Sequence, residues 1–199
     1  MMRRMSATSR RRLLQSSLAL PLWTVGVGSV AAGEVAALLR QGGLVVALRH
    51  ALAPGTFDPP DFKLGDCRTQ RNLNTEGREQ ARRIGRWFER QVLPPAAVRS
   101  SPWCRCMDTA AEAFGNGGTV QAWAALGSPY GRSEQTNAAS RAQLLAALRA
   151  VPAGRFELWV THAFVQQALS GQSTSSGEGL LMRATGGAEP QVLGRLSVA

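Results

Sequence analysis

A chain of 199 residues, 44% hydrophobic and 18% charged, has the composition of one globular domain with at most a short extension, which excludes a disordered chain. Beyond the N-terminal segment it holds no run of about 20 apolar residues, which excludes a multi-span membrane protein and a stable span in the mature chain. The net charge of +10 is almost wholly arginine, and five of those arginines (Arg3, Arg4, Arg10, Arg11, Arg12) precede Ala32 with no acid among them.

The opening segment reads as an address. Ser9-Arg10-Arg11-Arg12-Leu13-Leu14-Gln15 begins a charged-then-apolar pattern that continues from Leu18 to Val30 and ends in small residues suited to a cut after Ala31 or Ala32. The arginine pair followed by Leu-Leu-Gln resembles a twin-arginine export signal. Residues 1–31 are therefore expected to engage the twin-arginine or general export machinery, and residues 32–199 to fold as a single periplasmic domain. In that compartment three cysteines leave room for one disulfide and one thiol. Cys104 and Cys106 lie too close to pair in a helix, so Cys67 with either of them is the expected bridge. All three as small buried hydrophobes is the alternative. These cysteines and two lone histidines do not make a zinc site.

Along the remainder, Glu34 to Arg40 has helical spacing and stops at Gly42-Gly43. Leu44 to Leu48 is a continuous apolar run, as in a strand buried on both faces. The long segment from Ala51 to Leu73, rich in Pro, Gly and Asp, reads as a functional or mobile loop. Asn74 is placed to cap a helix reaching about Gln91, with Ala81, Ile84, Trp87 and Phe88 as its apolar stripe. A strand is expected at Ala97–Ser100, and a helix opened by Ser101-Pro102 runs to about Phe114. Gly115–Gly118 is a turn, Thr119–Trp123 a strand, and Ala124–Thr136 irregular. Asn137 caps a helix to Ala150, and a strand runs over Phe156–Thr161. A short helix covers Ala163–Leu169, and final strands cover Glu178–Arg183 and Gln191–Ser197. Alternating strands and helices imply an α/β domain with a mostly parallel sheet. Most of the arginines at 68, 71, 78, 82, 83 and 86 read as a solvated helix face. The arginines form no stripe with interleaved aromatics, so no nucleic-acid partner is expected, while the positive charge favours a small anion.

The two histidines each directly follow a predicted buried strand. In open α/β sheets the carboxyl ends of the strands form the ligand crevice, so His50 and His162 share one site if those strands are neighbours. Arg49 adjoins the first. Arg105 falls in the first turn of a helix, where free N–H groups favour an anion and a guanidinium can grip phosphate oxygens in pairs.

These segments resemble those of the histidine phosphatase superfamily, with its phosphoglycerate-mutase-like fold. Leu48-Arg49-His50-Ala51 looks like its Arg-His motif, and Leu73 to Ala81 like its following helix start. Ser100 to Arg105 with Asp108-Thr109-Ala110 looks like its second arginine segment, Thr161-His162 like its second histidine, and Gly177-Glu178 like the strand that follows. The resemblance implies a three-layer α/β/α sandwich with a mostly parallel, mixed central sheet. It implies a phosphomonoesterase of the histidine acid type, acting on a small-molecule phosphoester without a metal or other cofactor. His50 would carry the phosphoryl group, Arg49 and Arg105 would bind its oxygens, and His162 would complete the pocket. The chain departs from the pattern in having Ala51 where a glycine often follows the nucleophile. A proton donor for the leaving group is expected at Glu134, with Asp58, Asp61 and Asp66 as rivals. A non-catalytic binder of phosphorylated envelope components is the alternative, and a mutase a third reading.

Overall fold

The computed structural model describes residues 32–115 and 119–198. The expected export signal, and residues 116–118 of the expected glycine turn, lie outside the described residues.

Six strands form one mixed sheet: β1 (Leu44–Arg49), β2 (Ala97–Ser100), β3 (Val120–Ala122), β4 (Phe156–Thr161), β5 (Gly179–Arg183) and β6 (Gln191–Leu196), in the order β3-β2-β4-β1-β5-β6. The pairs β1–β4, β2–β4 and β2–β3 are parallel, and the pairs β1–β5 and β5–β6 are antiparallel. The continuous apolar run of β1 is buried on both faces. Leu44, Val46 and Leu48 join one core with helices α1 (Ala32–Gln41), α2 (Thr75–Arg90) and α3 (Cys104–Phe114). Val45 and Ala47 join the other, with α4 (Glu134–Ala150) and α5 (Ala163–Ser170). The result is the expected three-layer sandwich, and the period-two alternation of a strand accounts for the division of the core.

Local chemistry sets the helix boundaries. Asn74 caps α2, its side chain accepting the Gly77 N–H at 2.8 Å, and the predicted stripe of Ala81, Ile84, Trp87 and Phe88 is buried. A methyl group at Gly77 would collide with the Leu52 carbonyl, so this glycine lets α2 pack directly beneath the chain leaving β1. Several boundaries differ from the sequence reading, and three have a local cause. Helix α4 starts at Glu134, because Ser133 accepts the Thr136 N–H and caps it; Asn137 instead donates from its side chain to the Pro129 carbonyl. Helix α3 starts at Cys104 with Trp103 as cap, leaving Ser101-Pro102 ahead of it. Strand β3 is shorter than expected, because as an edge strand it finds partners in β2 for only three residues.

The parallel register brings the site together. The His50 N–H donates to the Thr161 carbonyl and the Ser101 N–H to the Val160 carbonyl, both at 2.9 Å. Each continues its ladder one residue past the strand, so the carboxyl ends of β1, β2 and β4 meet at one edge. Among the described residues no helix is long and apolar enough to cross a membrane.

Candidate active site

At that edge Arg49, His50, Arg105 and His162 line a single cavity of about 690 Å³. The imidazole rings of His50 and His162 meet edge-on with centroids 5.6 Å apart, and both residues are buried. The four side chains expected to converge therefore do. A third guanidinium joins them. Arg71, from the loop after β1, also lines the cavity and donates to the carbonyls of Ala53 and Gly55. Most of the arginine group around it was expected on a solvated helix face; Arg71 is not there, because it precedes α2 and turns inward. Arg78, Arg82 and Arg86 do lie on α2 and pair with Glu79, Asp108 and Glu112.

The hydrogen bonds fix the ring tautomers. Nδ1 of His50 lies 2.8 Å from the Ala51 carbonyl, which can only accept, so Nδ1 carries the proton and Nε2 keeps its lone pair. Nδ1 of His162 faces a guanidinium nitrogen of Arg105 at 3.4 Å, which can only donate, so in the neutral ring Nε2 carries the proton and donates to Ser101 Oγ at 2.9 Å. Burial pushes the His50 imidazole down to about 3, aided by the charges of Arg105, Arg71 and Arg49, against the contrary pull of the Ala51 carbonyl. Burial, then Arg105 and His50, hold His162 well below the ordinary histidine range. Both rings are neutral at neutral pH.

The three cationic heads are positioned but not saturated. One terminal nitrogen of Arg49 donates to the Thr174 carbonyl at 2.8 Å. Burial lowers the pKa of Arg49, and burial followed by repulsion from Arg105 lowers that of Arg71. The buried Nε–H groups of Arg49, Arg71 and Arg105 have no protein acceptor. Three guanidinium groups on one cavity are suited to an oxyanion.

Asp58 is the carboxylate in this cavity, and the sequence alone did not single it out. It lies 2.8 Å from Arg105 in an ion pair whose side chains are only 5% and 10% exposed. It also accepts from Trp103 Nε1 and from the Arg71 N–H. Glu134, the expected donor, is exposed at the start of α4 and does not line the cavity. It serves as an acidic residue in the first turn of that helix. Asp61 is exposed, and Asp66 caps a short turn and pairs with Arg68; neither reaches the cavity.

A disulfide between Cys67 and Cys104 ties this loop to the start of α3, one of the two pairings left open by the sequence. Cys106 is the free, buried thiol, 3.6 Å from His162 Nε2, and burial pushes its pKa up to about 12. It is therefore an inert packing group. Because the bridge closes a sequence separation of 37 residues, loop entropy assigns it up to about 4 kcal/mol. Cys67→Ser is expected to lower the urea midpoint accordingly and to weaken oxyanion binding, since Asp58 and Arg71 ride on the tethered loop. Identical midpoints with and without dithiothreitol would show that the bridge contributes nothing.

Comparison with known proteins bears on the fold. The family model for the histidine phosphatase superfamily (branch 1) matches residues 63–152, a stretch that includes Arg71 and Arg105. No curated protein sequence matches the chain. Among solved structures, the protein histidine phosphatase SixA complexed with tungstate is 19% identical with a TM-score of 0.56, over 77% of this chain and 96% of that one. A mycobacterial glucosyl-3-phosphoglycerate phosphatase is 14% identical with a TM-score of 0.52, over 76% and 96%. A phosphoserine phosphatase mutant from Entamoeba histolytica, bound to phosphoserine, is 12% identical with a TM-score of 0.56, over 77% and 96%. The chain has the α/β sandwich of these phosphatases, and its residues 63–152 are similar to the histidine phosphatase superfamily (branch 1).

Proposed function

We propose that the protein is a periplasmic phosphomonoesterase that works through a phosphohistidine on His50 without a metal ion. The observation that carries this reading is the convergence of Arg49, Arg71 and Arg105 with both histidines on one cavity, where the Nδ1 bond to the Ala51 carbonyl leaves the His50 Nε2 lone pair free. A neutral imidazole is a competent nucleophile toward phosphorus. The His50 Nε2–P bond forms as the ester P–O bond breaks and the leaving oxygen departs with its electron pair. Water then attacks phosphorus, the P–N bond breaks, and inorganic phosphate is released with the imidazole restored. Arg49, Arg71 and Arg105 hold the equatorial oxygens and neutralise their charge, which is most of what phosphoryl transfer requires. Burial and then the nearby charges hold His162 below its ordinary range; the dianion offsets the charges of Arg105, Arg71 and Arg49 and so favours protonation of that ring beside the phosphoryl group. Three guanidinium groups disfavour a divalent cation in the same space. Export is supported by the arginine-led N-terminal sequence and by a disulfide, which persists in an oxidising compartment.

The test is release of inorganic phosphate from an aryl phosphate in the presence of a chelator. Wild type is expected to turn over, and His50→Ala to fall by about 10⁴-fold or more. An equal trace rate in both, with ligand binding that survives His50→Ala, would instead indicate the non-catalytic binder.

A further inference from the structure

Among the described residues, the exposed large hydrophobic side chains are Phe57, Leu64, Val92, Tyr130 and Phe164. Every one but Val92 lines the active-site cavity, and each of those four is more than half exposed. They come from three separate stretches of chain: the loop after β1, the segment before α4, and the first turn of α5. Single exposed hydrophobics scattered over a surface need no explanation, but their concentration at one mouth does. Phe57 and Tyr130 stack at 4.9 Å with a tilt of 31°, joining two of these stretches above the phosphate-binding floor. Arg132, a cation on the same wall, is committed to the Ala124 carbonyl and Ser140 Oγ.

The floor adds a second constraint. Asp58 is the carboxylate lining the cavity, and both of its oxygens accept hydrogen bonds from Arg105, Trp103 and Arg71. Among the described residues no other carboxyl group lines the cavity to protonate a departing alkoxide, so the arrangement suits an oxygen that leaves readily as an anion.

We propose that the substrate is a phosphomonoester of an aromatic alcohol, its ring received by Phe57, Leu64, Tyr130 and Phe164. This rests on the phosphomonoesterase reading and specifies its substrate. The P–O bond to the ring breaks as His50 Nε2 bonds to phosphorus, and the phenolate carries away the electron pair and takes its proton from solvent. Ring-on-ring contact favours a flat aromatic group, and a cavity of about 690 Å³ accommodates one together with the phosphate.

The experiment measures binding of three non-hydrolysable probes to the full chain by calorimetry: methylphosphonate, benzylphosphonate and octylphosphonate. Benzylphosphonate is expected to bind about tenfold tighter than methylphosphonate and tighter than octylphosphonate. In Phe57→Ala/Phe164→Ala the benzyl-to-methyl ratio should collapse toward unity; both side chains are exposed, so folding is not at risk. Equal binding of benzyl and methyl probes overturns the proposal. So does tighter binding of the octyl probe, which would assign the wall to lipid phosphates. Because no probe is hydrolysed, these results stand apart from the turnover assay. A chain that prefers the benzyl probe but releases no phosphate from any ester would refute the hydrolase reading and leave the aromatic wall in place.

Discussion

Arg105→Ala is expected to cost both activity and stability, and the two losses separate in a double variant. Turnover of an aryl phosphate should fall by about 10²–10³-fold, because the guanidinium is preorganised where charge develops on the phosphoryl oxygens. Stability should fall by about 3–5 kcal/mol, because Asp58 is left as a buried carboxylate without its partner. Arg105→Ala/Asp58→Ala removes the stranded charge and should recover most of the urea midpoint, while turnover stays low. Recovery of activity along with stability would show that Arg105 is only a structural counter-ion. The same pair predicts that substrate must compete with Asp58 for Arg105. Asp58→Asn should therefore bind vanadate more tightly than wild type, despite some loss of stability.

The second large effect is on stability against pH. Folded His50 stays neutral down to about pH 3, whereas an unfolded histidine titrates near 6.5. Between those values the unfolded chain binds more protons, so stability rises with pH across the window. It is complete above about pH 6.5 and is lost as pH falls toward 3. A histidine that stays neutral throughout removes up to about 1.4 kcal/mol per pH unit, or roughly 2 kcal/mol by pH 5. His162, also held well below its ordinary value, adds in the same direction. Urea midpoints of the ligand-free chain should therefore drop steadily from pH 7 to pH 5, and His50→Gln should flatten part of that slope. Tungstate should flatten it further, because an oxyanion offsets the arginine charges that add to burial in opposing protonation. A flat profile in the ligand-free chain, or stability that grows on acidification, would contradict the assigned ring environments.

Much of the molecule was legible in its sequence because local chemistry and topology agreed. The apolar run at Leu44–Leu48 fitted a strand buried on both faces, and two histidines immediately after such strands pointed to one crevice if the strands were neighbours. Asn74 announced its helix through a side chain that caps a free N–H. What was missed depends on where a long loop folds back. Arg71 was not separated from the neighbouring arginines, most of which read as a solvated helix face. Only the return of the loop across the carboxyl edge, held by Asp58 and the Cys67–Cys104 bridge, turns it inward. Asp58 was one of three loop aspartates with no local signal to separate them. Glu134 looked like a pocket acid while the segment before Asn137 was read as irregular. Once Ser133 caps α4, Glu134 becomes a first-turn residue facing solvent.

The central claim is that His50 carries the phosphoryl group covalently. It is tested by quenching the protein in alkali during turnover of a ³²P-labelled aryl phosphate and mapping the label after proteolysis. The expected result is an alkali-stable, acid-labile phosphoryl group on the peptide containing His50, absent in His50→Ala. Label on another residue such as Ser101, or steady turnover with no phosphoenzyme at any quench time, would contradict it.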